Sequence, residues 1–174
     1  MSDRIYTGIG SRQTPETVLA WMFDLGRRLG EAGWTLRSGA AFGADSSFEA
    51  GCDAARGRKE IFLPWRRFNN HVTGYIMPEE MDPRLIQIAR RTHPVWDKLS
   101  SGVRKLHARN VFQVLGKDLE TPSRFLVCWT PGGNGGGGTG QAIRLARESS
   151  VPIFDLANPT SLAEVRERFL SVAT

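Results

Sequence analysis

The sequence predicts an α/β chain: a Rossmann-like open parallel sheet of about five strands with helices on both faces. Three observations carry that reading. Short apolar runs alternate with amphipathic helical stretches in βαβαβ order, and the first connections are short, as parallel sheets flanked by helices require. Three of the apolar runs lead directly into glycine-bearing turns, at residues 8–12, 38–45 and 130–140. A chain of 174 residues is also long enough to bury a full core, so one domain is expected over 1–174.

Residues 4–9 form the first apolar strand and end in Gly8-Ile9-Gly10-Ser11-Arg12. Thr14-Pro15 reads as N-cap and first helical residue. Val18, Met22, Leu25 and Leu29 then repeat at helical spacing until Gly33. Residues 35–37 give a second strand, which runs into Ser38-Gly39-Ala40-Ala41-Phe42-Gly43-Ala44-Asp45. Ala44, Phe48, Cys52 and Ala55 share a helical face, and residues 59–63 form a third strand closed by Pro64-Trp65. Residues 66–98 break the regularity with Pro78, Pro83 and Pro94; they read as an insertion over one end of the sheet, with a helix at 84–92. A long helix follows at 98–115, carrying Val103, Leu106, Asn110 and Val114 on one face. Residues 125–129 are the fourth strand, and a helix at 142–148 follows the glycine loop. Residues 151–154 are the fifth strand, and Ser161 is read as the cap of a last helix aligned on Leu162, Val165, Phe169 and Val172.

Composition narrows the function classes only partly. No apolar run approaches the ~20 residues of a membrane span, and the N-terminus enters a strand at once, so no membrane and a cytoplasmic location are expected. Cys52 and Cys128 are far apart in apolar settings, which suggests two buried thiols. His71, His93 and His107 are scattered, so neither a metal nor a resident cofactor is expected. A net charge of +5 permits a polyanionic partner, although the basic residues lie in several small clusters.

The candidate site is where the three glycine turns converge, because ligands of open α/β sheets bind beyond the carboxyl ends of the strands. Seven of the 19 glycines fall between Gly132 and Gly140. A strand, glycine-rich loop and helix start in succession can hold a phosphate on free backbone N–H groups. Thr130, Gly132, Gly133, Gly138, Thr139 and Gln141 are the candidate ligand-binding residues there. Gly10, Ser11 and Arg12 are the candidates in the first loop, since arginine grips an anion through a bidentate fork. Ser38, Gly39 and Gly43 are those of the second. Asp45 is read either as a helix cap or as part of the site. Glu49, one turn on, is read as solvent-facing or as joining Asp45 in stabilising a sugar cation. His107 and Asn110 lie one turn apart and are candidates to meet one ligand, with Arg109 pointing elsewhere. Trp65, Trp96 and Trp129 either stack on a base or cap the core.

Together, Gly8-Ile9-Gly10-Ser11-Arg12, Ser38-Gly39, Gly43-Ala44-Asp45, Cys128-Trp129-Thr130-Pro131 and Gly138-Thr139-Gly140-Gln141 resemble the short DNA-processing protein A-like family of bacteriophages and prophages, within the SLOG superfamily. The likeness runs through Leu63-Pro64-Trp65, His93-Pro94 and residues 106–110. It implies a Rossmann-like fold and a nucleotide or single-stranded nucleic-acid partner, with a homo-oligomer allowed. Pro131, Gly132, Gly133, Gly138 and Thr139 are also similar to the Pro-Gly-Gly-x-Gly-Thr-x-x-Glu motif of LOG (lysine-decarboxylase-like) enzymes, which cleave the N-glycosidic bond of nucleoside 5′-monophosphates. Gln141 and Ala142 stand near where that motif wants its glutamate, so such a hydrolase has to use Asp45 or Glu49. The resemblance thus implies a phosphate-binding protein of DNA or nucleotide metabolism, with N-glycosidase activity or a sensor of a signalling nucleotide as alternatives.

Overall fold

A computed structural model describes residues 4–170. Its six strands are β1 (Ile5–Gly8), β2 (Thr35–Ser38), β3 (Arg58–Leu63), β4 (Tyr75–Ile76), β5 (Leu126–Cys128) and β6 (Ile153–Asp155). All neighbours pair in parallel, in the order β4-β3-β2-β1-β5-β6. The chain therefore winds outward from β1 to β4, then returns to the other side of β1 for β5 and β6. The reversal between β1 and β5 is the switch point, and ligands of open α/β sheets bind beyond the carboxyl ends of strands at such a point.

The strands are apolar where helices cover both faces, as in β1, β5 and the Ile61–Leu63 half of β3, which opens on Arg58, Lys59 and Glu60. On one face α1 (Glu16–Glu31), α2 (Ala44–Ala54) and α6 (Pro159–Val165) pack Met22, Leu25, Phe48 and Val165 onto Tyr6, Leu36 and Val127. On the other, α3 (Pro83–Thr92), α4 (Ser101–Leu115) and α5 (Gly140–Glu148) pack Leu85, Val111 and Ile143 onto Ile9, Phe62 and Leu126. Cys52 and Cys128 are both free thiols in these cores, and burial pushes the Cys52 thiol up to about 11.

The predicted elements need four adjustments. The insertion does more than lie over the sheet: Tyr75–Ile76 adds a sixth strand at the edge, and α3 joins the helix layer. Two residues of backbone pairing leave almost no side-chain pattern to read. Thr14 is not a cap; its hydroxyl donates to the Ser11 carbonyl (2.6 Å), and Pro15 occupies the cap position. The long helix begins at Ser101, with the Ser100 hydroxyl accepting from the Val103 amide. The last helix is capped by Asn158, whose side chain accepts from the Thr160 amide (2.9 Å), with Pro159 as its first residue; Ser161 lies inside it. Val172 lies outside the described residues. No helix among the described residues is long and apolar enough to cross a membrane.

Candidate functional site

The loop after β1 lies directly against the loop after β5. The Ser11 amide donates to the Trp129 carbonyl (3.1 Å), continuing the β1–β5 pairing past the strands. Gly10 must be glycine here, because a Cβ would lie 2.6 Å from the Ala44 methyl at the start of α2. Gly43, at φ +87°, lets the second loop turn under the first, with a Cβ position only 3.0 Å from the Ser11 carbonyl. Ser38 joins the same corner by donating its hydroxyl to the Gly8 carbonyl (2.7 Å). Arg12 is exposed at the tip.

Asp45 is what ties the two loops. Its Oδ1 accepts from the Gly10 amide (3.2 Å), and its Oδ2 accepts from the amides of Gly39 (3.1 Å) and Ala41 (3.4 Å). The carboxylate is buried, and burial raises its pKa to about 6 against the opposing pull of Arg109 and the three amides. It is neither a helix cap nor a free acid. Glu49 is also engaged: one oxygen meets Lys59 Nζ (2.8 Å) and the other His71 Nε2 (2.7 Å). The pair therefore does not converge on a sugar. Arg109, expected to point away, is buried, donates to the Gly39 carbonyl (2.6 Å) and lies 5.4 Å over Phe68.

The glycine loop is held at its base and open at its tip. Thr130 is fully buried; its amide donates to Asp155 Oδ1 (3.1 Å) and its hydroxyl to Oδ2. The same hydroxyl oxygen accepts from the Gly135 amide (3.0 Å). Gly132, Gly133, Gly135 and Gly137 all adopt positive φ. Around Gly136, Gly137 and Gly138 a Cβ would meet nothing within 4 Å. The loop leads straight into α5, with Thr139 buried at its cap position.

Gln141 does not face the loop's open side. Its Nε2 donates to the Ala89 carbonyl (3.4 Å) and Thr92 Oγ1 (3.2 Å), which fixes Oε1 as acceptor from His107 Nδ1 (3.0 Å) and Asn110 Nδ2 (3.4 Å). His107 and Asn110 thus meet each other's partner rather than a common ligand, and this network assigns His107 the Nδ1–H tautomer. Asn110 also donates to the Gly138 carbonyl (3.1 Å), fastening the loop tip to α4. Burial, with His93 beside it, lowers the His107 pKa to about 4; burial and Arg144 lower that of His93, and the two rings stand 4.2 Å apart. Trp96 is buried in the core beneath α3, α4 and α5, and Trp129 is half-buried against the core on the opposite face, whereas Trp65 is exposed, edge-on to Phe68.

Sequence reasoning missed Asp155, which organises the base of the glycine loop. Its position directly after the apolar run at 151–154 was the available signal. It also missed Phe42, 57% exposed in the second loop.

No family model matches the chain, and no curated protein does. Two structures of the Moco carrier protein of Chlamydomonas reinhardtii superpose with TM-scores of 0.55 and 0.56, both at 18% identity, over 95% of this chain and 83% of that one. A third, of the molybdenum cofactor carrier protein from the same organism, gives 0.55 at 16% identity over 95% and 84%. The likeness shows the Rossmann-like fold, and nothing in it points to the DNA-processing protein A-like branch. The expectations of DNA processing, a phage setting, a nucleotide or nucleic-acid partner, a nucleotide sensor and N-glycosidic hydrolysis are corrected by these neighbours, which are cofactor carriers. The engagement of Asp45, Glu49 and Gln141 agrees with that correction, because it leaves no free acid at the loops.

Proposed function

We propose that the chain is a binding protein for a small phosphorylated cofactor of the molybdenum-cofactor class, held as cargo at the carboxyl end of its sheet. The observation that carries this reading is the open tip of the glycine loop, Gly136 to Gly138, beside the β1–β5 switch point. Backbone amides exposed there, at the entrance to α5, suit the terminal phosphate of a pterin cofactor. Gly10, Ser11 and Arg12 lie on the β1 side of the switch point, and the Arg12 guanidinium adds a positive charge. Ser38, Gly39 and Gly43 set the second loop, whose exposed Phe42 offers a face to a flat ring. Thr130 and Thr139 shape the loop from beneath, while His107, Asn110 and Gln141 hold its tip. Asp45 positions the loops and takes no part in chemistry, and Glu49 braces α2. A carrier needs no general acid or base, and none is left free among these residues.

The test is cargo retention. Molybdenum cofactor released anaerobically from a donor enzyme is mixed with the protein and desalted, and molybdenum and pterin are measured in the protein fraction. Near-stoichiometric retention of both is expected, with strong loss in Gly138→Val. Retention no greater than that of an unrelated protein of equal net charge would overturn the reading.

A further inference from the structure

A cavity lies at the opposite end of the strands from the glycine loops. Its volume is about 820 Å³, within the ~300–1,000 Å³ range of small-molecule sites. It exists because α4 stops at Leu115 and leaves the amino ends of β1 to β4 uncovered on that face. Gly116, at φ +79°, turns the chain away next to Arg37; a Cβ there would lie 2.7 Å from the Arg37 Nη2. The following loop returns to Thr121, whose carbonyl accepts from Arg37 Nη1 (2.5 Å).

The charges around this bay are nearly all engaged. Arg37, buried, pairs through Nε with Glu60 (2.6 Å). Asp118 accepts from the amides of Glu120 and Thr121 and from the Thr121 hydroxyl. Lys59 is bound between Glu49 and Asp53. Lys117 differs: it is exposed and has no carboxylate partner among the described residues. Its ammonium rests 4.3 Å over the Tyr75 ring. The wall beneath is apolar and aromatic. Ile5 and Phe62 line it, and Tyr75 stands edge-on to Phe62 (6.2 Å) and to Phe112 (5.7 Å). An aromatic cluster of this kind accepts a further ring edge-to-face.

We propose that this bay is a second small-molecule site, taking a small aromatic carboxylate whose ring packs against Ile5, Phe62 and Tyr75 and whose carboxylate pairs with Lys117. A single free ammonium beside an apolar wall matches one carboxylate on an apolar body. It does not match a polyphosphate, because Arg37, which lines the bay, already engages its guanidinium with Glu60 and the Thr121 carbonyl. The site is independent of the cargo reading, since it shares no residue with the loops at 8–12, 38–45 and 130–141.

Benzoate is the probe, with benzamide as its neutral counterpart, each titrated into the ¹⁵N-labelled full chain and followed by NMR. Benzoate is expected to move the amides of Tyr75, Lys117 and Thr121 saturably, and benzamide to bind about tenfold more weakly, as one charge-assisted hydrogen bond warrants. Lys117→Ala is expected to remove the preference for benzoate and Lys117→Arg to keep it; Lys117 is exposed, and unchanged spectra elsewhere will establish that both variants fold. Equal binding of the two probes, shifts confined to residues 130–141, or no saturation with benzoate would each overturn the proposal.

Discussion

Asp45 illustrates how one side chain sets the geometry of two loops. An asparagine keeps the shape but turns an N–H₂ group toward backbone donors, leaving at least one buried amide without an acceptor. Asp45→Asn is therefore expected to cost about 1–3 kcal/mol at neutral pH in urea unfolding. The pH dependence has a definite sign. The folded pKa of about 6 lies above the ordinary carboxylate value, so the native state binds the proton more tightly. The ionised form is then a cost present above pH ~6. As pH falls through 6 toward the unfolded value near 4, this group stabilises the fold. The stability gap between wild type and Asp45→Asn should widen from pH 7.5 to pH 5; a constant gap would show that Asp45 does not titrate in that window. From the sequence, Asp45 was recognisable as important at a helix start, with the Gly39 and Ala41 amides in its own loop, but the Gly10 amide reaches it only through the close contact of Gly10 with Ala44.

Among elements, the contact of α3, α4 and α5 through Gln141 is the clearest case of a role that pattern reading assigns elsewhere. Near a missing glutamate, Gln141 reads as a site residue; in the fold it is 1% exposed and crosslinks three helices. Gln141→Leu should destabilise the protein by about 2–4 kcal/mol, because His107, Asn110 and Thr92 lose a partner together. The hydrogen bond that His107 Nδ1–H donates to Gln141 Oε1 raises the His107 pKa, so its loss should drive that pKa still lower, which histidine NMR titration reads directly. The glycine loop gives the opposite expectation. Gly138 has open space around it, so Gly138→Val should leave the unfolding midpoint nearly unchanged while it diminishes cargo retention. A fall in both would mean the loop tip is structural. The strand–loop–helix order of this element was legible, since glycine and proline punctuate it. Its support by Asp155 was not, because β6 is placed beside β5 by backbone pairing across a helix.

At the scale of the whole molecule, binding to the native state alone should raise stability. An excess of cargo at a hundred times Kd gives about 2.7 kcal/mol, which a thermal-shift series will detect. With a net charge of +5, retention of an anionic cargo should also weaken as ionic strength rises. Salt-independent retention would place the binding energy in apolar contacts instead of the phosphate.

The sequence by itself determined the parallel α/β class, the order of the elements and the three glycine turns at the carboxyl ends of strands. These features are local: the period of apolar residues, the positions of Gly and Pro, and short connections settle them without knowledge of distant neighbours. Only the tertiary structure decided the sixth strand, the β1–β5 switch point, and which polar residues at the loops are already engaged. Those outcomes depend on contacts between separate elements, such as Gly10 with Asp45, Arg109 with Gly39 and His107 with Gln141. The partners of Asp45, Glu49, Arg109 and Gln141 exist only once two helix layers have closed on the sheet and excluded water from their polar groups.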